Sequence, residues 1–182
     1  MRSLGATRLD AGVAAIAAAV GAVAAVADDR SVGGVAVMVA FFAALGAVSV
    51  IDARERRIPN AYTSAGTALA VVAAAFGGLD AVASALGGIA VGGGVMGLFF
   101  VIVFVIGRGS LGLGDVWFST FVGAVLGIPA TATFLFLGTA FGALGALVLL
   151  ARGYDRHSTI AYGPYLAAGA AVTAASIGPV VG

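Results

Sequence analysis

The chain has 182 residues, of which 62% are hydrophobic and only 9% are charged, and its mean hydropathy is +1.15. Soluble domains carry about 25% charged residues, so this composition excludes a soluble globular protein and predicts a membrane protein. The net charge of +1 gives no sign of nucleic-acid binding, and the absence of cysteine excludes disulfides, cysteine-ligated zinc and a thiol nucleophile.

Apolar runs of a length suited to crossing a bilayer recur along the whole chain. A spanning helix needs roughly 20 apolar residues, and the charged residues separate seven candidate spans. The spans are approximately 11–27, 32–51, 61–79, 81–106, 116–128, 130–150 and 159–181. The fifth is short and joins the sixth through Ile128-Pro129, so we predict a partial or tilted span there. The sequence therefore predicts an all-α bundle of about six to seven transmembrane helices, with residues 1–182 forming one domain.

The first candidate span has a second interpretation. Residues 1–30 combine Arg2 and Arg8 with an apolar run and Ala25-Val26-Ala27, which is also the pattern of a cleavable signal peptide. The apolar run is long for a signal peptide, which favours a retained span. Cleavage would leave every later loop on the same side, so the orientation deduced for the rest of the chain does not depend on this choice.

The basic residues predict the orientation. Alternating crossings place eight of the nine arginines on one side: Arg2, Arg8, Arg54, Arg56, Arg57, Arg108, Arg152 and Arg156. The opposite side receives Arg30 alone. Because cytoplasmic loops are enriched in Lys and Arg, we expect a multi-pass protein of the cytoplasmic membrane with its N-terminus and arginine-rich loops in the cytoplasm.

Small residues recur within the spans at a spacing that suits helix packing. Gly88/Gly92 and Gly93/Gly97 in the fourth span, and Gly138/Gly142 in the sixth, have small-xxx-small spacing. Such pairs let helix backbones approach closely in a membrane. We interpret these glycines as packing residues with no part in chemistry.

Six of the eight acidic residues are interpreted as water-accessible groups in turns, loops or at helix ends: Asp10, Asp28, Asp29, Glu55, Asp80 and Asp155. The other two differ because each adjoins the apolar sequence of a span. Asp52 ends the second span and Asp115 begins the fifth. An ionisable group at the edge of a span is costly and indicates a functional site. Two alternatives are that each acid only marks the membrane boundary, and that Asp115 is a helix N-cap favoured by the helix dipole.

Topology brings these two acids to the same face. The third and fourth spans form an antiparallel pair, so the end of the second span and the start of the fifth return to one side of the bilayer. Two carboxyls held close share a proton and titrate as a pair. In aspartic proteases one carboxylate takes a proton from water and the other donates to the scissile carbonyl oxygen. Gly112 and Gly114 would allow unusual backbone angles and close approach of a substrate chain to this loop.

Paired acids near a membrane face also suit a proton or ion pathway. A small membrane transporter or channel is therefore the alternative function. It has no need for the Gly-x-Gly that precedes Asp115. His157, the single histidine, falls in the arginine-containing loop after the sixth span and is interpreted as a solvated loop residue. One histidine also cannot form a metal site.

Three sequence elements resemble a known family. Asp52-Ala-Arg-Glu-Arg-Arg-Ile-Pro-Asn60 resembles the first signature of the type IV prepilin peptidases, in which an Asp is followed shortly by Ile-Pro-Asn. Gly112-Leu-Gly-Asp115 resembles their second signature, the GxGD motif of membrane aspartic proteases. Tyr162-Gly-Pro-Tyr165 is similar to the Phe-Gly-Pro-Phe that opens the family's last helix. The resemblance covers about residues 35–175, and two positions depart from it: Trp117 stands where the family commonly has Lys, and Ala161 where Pro is usual.

The resemblance implies an enzyme with Asp52 and Asp115 as its catalytic dyad. It also implies that the protein cleaves membrane-inserted prepilin, pseudopilin or archaellin precursors at the cytoplasmic face, after a short basic leader and before a hydrophobic helix. Without cysteines or a long loop, the chain resembles the short form that lacks the N-methyltransferase region, as in tight-adherence pilus or archaeal systems. No metal or organic cofactor is expected, and the partners are the precursor and the lipid bilayer.

The remaining residues of the three elements are expected to shape the site. Ile58, Pro59 and Asn60 form the loop after Asp52, where Pro59 and Asn60 are predicted to cap a helix that begins near Ala61. Tyr162, Gly163 and Pro164 are expected to begin the last helix, with Pro164 in its first turn. Arg54, Arg56 and Arg57 are interpreted as topology determinants that meet lipid phosphates, with orientation of an acidic residue of the substrate as a lesser alternative.

Overall fold

The computed structural model describes residues 32–106, 112–153 and 161–178, and every regular element in these ranges is a helix. There are five: α1 (Val32–Glu55), α2 (Asn60–Phe76), α3 (Leu79–Ile106), α4 (Leu113–Ala151) and α5 (Gly163–Ile177). The predicted all-α class is confirmed for this part of the chain. The predicted span 11–27 and the signal-peptide alternative lie outside the described residues.

Three of the described helices are long and apolar enough to cross a membrane: α1 from Val35, α3 and α4. Helix α2 has 17 residues and α5 has 15, which is short for a full crossing of roughly 30 Å at 1.5 Å per residue. The membrane character predicted from composition is supported, whereas the count of six to seven spans is not confirmed.

Helix α4 contains the predicted fifth and sixth spans and bends sharply between them. Gly127 has φ 73° and ψ −179°, a left-handed backbone that interrupts the helix two residues before Pro129. A Cβ built on Gly92 of α3 would lie 3.0 Å from the carbonyl carbon of Ser119 and 3.5 Å from Cγ2 of Thr131. In an uninterrupted helix those two positions would be about 18 Å apart. The chain therefore folds back at Gly127, which divides α4 into a first leg (residues 113–126) and a second leg (residues 128–151).

Glycines set how closely the helices pack. A Cβ on Gly88 of α3 would lie 2.8 Å from the carbonyl carbon of Gly123, so the two backbones touch with no side chain between them. On the second leg of α4, a Cβ on Gly138 would lie 2.9 Å from Leu166 Cδ2, and one on Gly142 would overlap the Tyr162 ring. The predicted packing role of Gly88/Gly92 and Gly138/Gly142 is confirmed.

The core draws buried side chains from all five helices. Its largest fully buried side chains include Met38 of α1, Phe118 and Phe134 of α4, and Leu166 of α5. The outer surface is also apolar, as shown by Phe76, which is 90% exposed. A surface of this kind suits lipid rather than water. The polar groups buried inside the bundle are therefore the candidate functional residues.

Candidate active site

Asp52 lies in the last turn of α1, which continues to Glu55 instead of ending where the predicted span ends. The Arg56 N–H donates to the Asp52 carbonyl oxygen at 2.8 Å. Arg56 itself has φ 52°, a left-handed conformation that costs a non-glycine residue about 1–2 kcal/mol. This helix end leaves the Asp52 side chain inside the bundle, where it is only 6% exposed.

Asp115 is the third residue of α4, and its carboxylate reaches back over the helix N-terminus. The Gly112 N–H donates to Asp115 Oδ2 at 2.9 Å, and the Asp115 N–H donates to the Gly112 carbonyl oxygen at 3.0 Å. The N-cap position is Gly112, so the interpretation of Asp115 as the N-cap residue itself was wrong by one helical turn. Asp115 is buried to the same extent as Asp52, at 6% exposed.

The third sequence element joins the first through a hydrogen bond. The Gly163 N–H, at the start of α5, donates to Asp52 Oδ2 at 2.7 Å. A Cβ on Gly163 would lie 2.8 Å from that oxygen and 2.9 Å from the Asp52 Cβ. Glycine is therefore required here for close approach, and the helix start holds a carboxylate as helix N-termini commonly do.

Both carboxylates line one cavity of about 350 Å³ at this end of the bundle. They interact electrostatically with each other across it. The other lining residues are Arg56, Arg57, Ile58, Gly112, Leu113, Gly114, Ala161 and Tyr162. All three sequence elements thus contribute to one wall, which is the arrangement expected from their predicted positions at the same membrane face.

The two glycines before Asp115 have roles that differ from the predicted ones. Gly112 has φ −99° and ψ 155°, an extended conformation open to other residues. Gly114 is helical, and a Cβ there would lie 2.9 Å from the Ile58 Cβ and 3.1 Å from the Ile58 carbonyl oxygen. The close approach at Gly114 is therefore to the chain's own loop, and the expectation of unusual backbone angles at both glycines was wrong.

The remaining predicted site residues lie at the N-terminal starts of α2 and α5. Helix α2 begins at Asn60, with Pro59 as its N-cap residue and no capping hydrogen bond from a side chain. The predicted start near Ala61 is therefore within one residue of the observed start and Pro59 is at the cap, whereas Asn60 lies inside the helix and does not cap it. Neither Pro59 nor Asn60 lines the cavity. Pro164 lies in the first turn of α5, as predicted, with Tyr162 as the N-cap residue.

Arg56 and Arg57 belong to the cavity wall, although the sequence favoured a role in topology for them. Arg56 interacts electrostatically with Asp52. Arg57 also pairs with Glu55, with 3.2 Å between Nε and Oε2 in an exposed position. The signal for this placement was available in the sequence, because both residues lie between Asp52 and Ile58 in the first element.

Tyr162 lines the same cavity as the two carboxylates, and its ring lies against Gly142. Burial and the neighbouring Asp115 charge raise the pKa of its phenol to about 12, so the phenol keeps its proton near neutral pH. In the three described ranges, no group of three or more His, Cys, Asp or Glu residues is placed to hold a metal ion. The chemical groups gathered here are two carboxyls, a phenol and two guanidinium groups.

Comparison with known proteins identifies the family. The model of the type IV leader peptidase family matches residues 36–147, which include Asp52 and Asp115. The chain therefore belongs to the type IV leader peptidase family, which confirms the resemblance and implies a peptidase. Neither a curated protein nor a solved structure gives a significant match.

Proposed function

We propose that this chain is a membrane aspartic endopeptidase in which Asp52 and Asp115 form the catalytic dyad. The observation that carries the proposal is the single cavity lined by both buried carboxylates. Family membership supports peptidase activity, and the two carboxyls supply a way to activate water.

The dyad works by dividing proton transfers between two groups. The ionised carboxyl takes a proton from water as the water oxygen attacks the scissile carbonyl carbon. The protonated carboxyl donates its proton to the carbonyl oxygen, and proton transfer to the amide nitrogen then lets the C–N bond break. Gly163 and Gly112 N–H groups each hold Oδ2 of one carboxylate. Within the described ranges neither Oδ1 atom accepts a hydrogen bond, so both are proposed to contact water and substrate.

The proposed substrate is a prepilin, pseudopilin or archaellin precursor, cleaved between its short basic leader and its hydrophobic helix. An apolar outer surface suits a substrate that is itself membrane-inserted. Arg56 and Arg57 in the cavity wall suit an acidic side chain of the precursor near the cleaved bond. The arginine asymmetry supports a cytoplasmic position for the site in the plasma membrane.

Replacement of each acid tests the dyad. Asp52→Asn and Asp115→Asn preserve shape and remove the charge and the transferable proton, so each should abolish leader removal while the protein still inserts. Asp80→Asn, at an exposed site in the first turn of α3, is the matched control and should keep full activity. The measurement is leader removal from a prepilin-type precursor in vesicles that also contain the purified protein.

Three outcomes decide against the proposal. Cleavage retained by either dyad variant would rule out the two-carboxyl mechanism. Activity lost in EDTA and restored by zinc would indicate a metalloenzyme. Proton flux into vesicles, without cleavage of any prepilin-type precursor, would favour the transporter or channel.

A further inference from the structure

The Tyr162 phenol is a polar group in the cavity wall that the dyad mechanism leaves unused. We propose that its O–H donates a hydrogen bond to the carbonyl oxygen of the scissile peptide, where negative charge develops. This inference rests on the proposed peptidase function and adds a third substrate-contacting side chain to it.

Two neighbours fix the position of Tyr162. Its backbone is held from one side because the next residue, Gly163, donates its N–H to Asp52 Oδ2 at 2.7 Å. Its ring is held from the other side by the second leg of α4, where Gly142 leaves space that any Cβ would fill. The phenol therefore has a set position relative to Asp52.

The phenol faces the same cavity as the dyad. Tyr162 lines the cavity, and its phenol interacts electrostatically with Asp115. Within the described ranges the Tyr162 hydroxyl makes no hydrogen bond to protein. A phenol has an ordinary pKa near 10, so this group is a hydrogen-bond donor at any pH at which the dyad works.

Other hydrogen-bond donors near the dyad already have partners, and Arg56 of the cavity wall interacts electrostatically with Asp52. The N–H groups of Gly112 and Gly163 each donate to a carboxylate Oδ2. The Arg57 side chain is 73% exposed and paired with Glu55, so water screens its charge. A partly buried phenol in the wall is the better-placed neutral donor, because a hydrogen bond aimed at developing charge is stronger in a water-poor site.

Tyr162→Phe tests the inference, since it removes the hydroxyl and keeps the ring that packs on Gly142. Loss of one donor to a developing oxyanion lowers kcat by up to about 100- to 1000-fold in enzymes that depend on it. For a neutral phenol beside a protonated carboxyl we expect roughly 10- to 100-fold, with KM nearly unchanged. Tyr165→Phe is the matched control, because the Tyr165 ring and hydroxyl lie against Gly145 and outside the cavity wall.

The assay uses the full-length protein in vesicles of phosphatidylethanolamine and phosphatidylglycerol, with a prepilin-type precursor that the wild-type protein cleaves. A lower kcat in Tyr162→Phe, with thermal unfolding and KM like the wild type and with Tyr165→Phe unaffected, supports the inference. Wild-type kcat in Tyr162→Phe overturns it and leaves the dyad intact. A Tyr162→Phe protein that unfolds early also overturns it, because the hydroxyl would then be structural. Failure of the wild type itself to cleave any prepilin-type precursor removes the proposed function, and this inference with it.

Discussion

Gly163 and Asp52 are 111 positions apart in the sequence and are joined by a buried 2.7 Å hydrogen bond from the N–H to Oδ2. This contact ties the start of α5 to the last turn of α1. It also holds one oxygen of a carboxylate that lines the candidate active site. The contact depends on the absence of a side chain at position 163.

Gly163→Ala should therefore damage the site without preventing membrane insertion. The added Cβ would lie 2.8 Å from Asp52 Oδ2, so either Asp52 or the start of α5 must move. A displacement near 1 Å at a catalytic group costs on the order of 100-fold in rate, and we expect a loss of this size in precursor cleavage. Gly94→Ala is the control, because a Cβ on Gly94 meets nothing within 4 Å. Equal activity of the two variants would contradict the importance of this contact.

The two glycines before Asp115 should differ in their tolerance of alanine. Gly114→Ala places a Cβ 2.9 Å from the Ile58 Cβ and 3.1 Å from the Ile58 carbonyl oxygen. This contact pushes the first turn of α4, and Asp115 with it, away from the loop, so cleavage should fall at least roughly tenfold. At Gly112 a Cβ would lie 3.7 Å from Asp115 Oδ2 in an extended backbone. Gly112→Ala should keep most of its activity, and the reverse ranking in a cleavage assay would refute this account.

Gly127→Ala should lower stability. The residue has φ 73° and ψ −179° where α4 folds back, a conformation that costs a non-glycine residue about 1–3 kcal/mol. Unfolding of the purified protein in detergent, followed by circular dichroism, should begin at a lower temperature than in the wild type. Gly94→Ala is again the comparison, since it adds a methyl group in a helical backbone with open space. An unchanged transition in Gly127→Ala would show that the turn accommodates a side chain.

Asn60→Ala should change stability by less than about 0.5 kcal/mol. The sequence favoured a capping role for Asn60, and loss of a capping side chain typically costs about 1 kcal/mol. Asn60 is instead the first residue of α2, is exposed, and follows an N-cap Pro59 with no side-chain capping hydrogen bond. A clear loss of thermal stability in detergent would restore the original interpretation.

Much of the fold and the grouping of the candidate site residues follows from the sequence. Charged breaks between apolar runs located every described helix within a few residues, because charges are excluded from the hydrocarbon region. The placement of Asp52 and Asp115 at one end of the bundle followed from the antiparallel pairing of consecutive spans. Both inferences rest on general properties of membrane proteins, namely that charges avoid the hydrocarbon region and that successive spans cross in opposite directions.

The local contacts were harder to predict. That Gly114 packs on Ile58 and Gly163 on Asp52 depends on where two distant segments meet, which no spacing rule specifies. The N-cap of α4 was misplaced because Gly112 carries no capping side chain to mark it. Asn60 was predicted to share the cap of α2 with Pro59 and is instead the first helical residue. Arg56 and Arg57 line the cavity. Arg56 has a left-handed backbone conformation, which is uncommon for arginine and could not be predicted from the sequence.

The fold-back of α4 has a consequence for the surrounding lipid. The first leg, from Leu113 to Leu126, is about 20 Å long at roughly 1.5 Å per residue, against a hydrocarbon core of about 30 Å. If its Asp115 end lies at one membrane surface, a leg of this length would stop inside the hydrocarbon layer. There Gly127 is buried and the exposed Pro129 presents no N–H to the acyl chains. A protein with so short a spanning segment is expected to thin the bilayer beside it. The thickness of the surrounding bilayer would then determine how deep the cavity lies below the membrane surface.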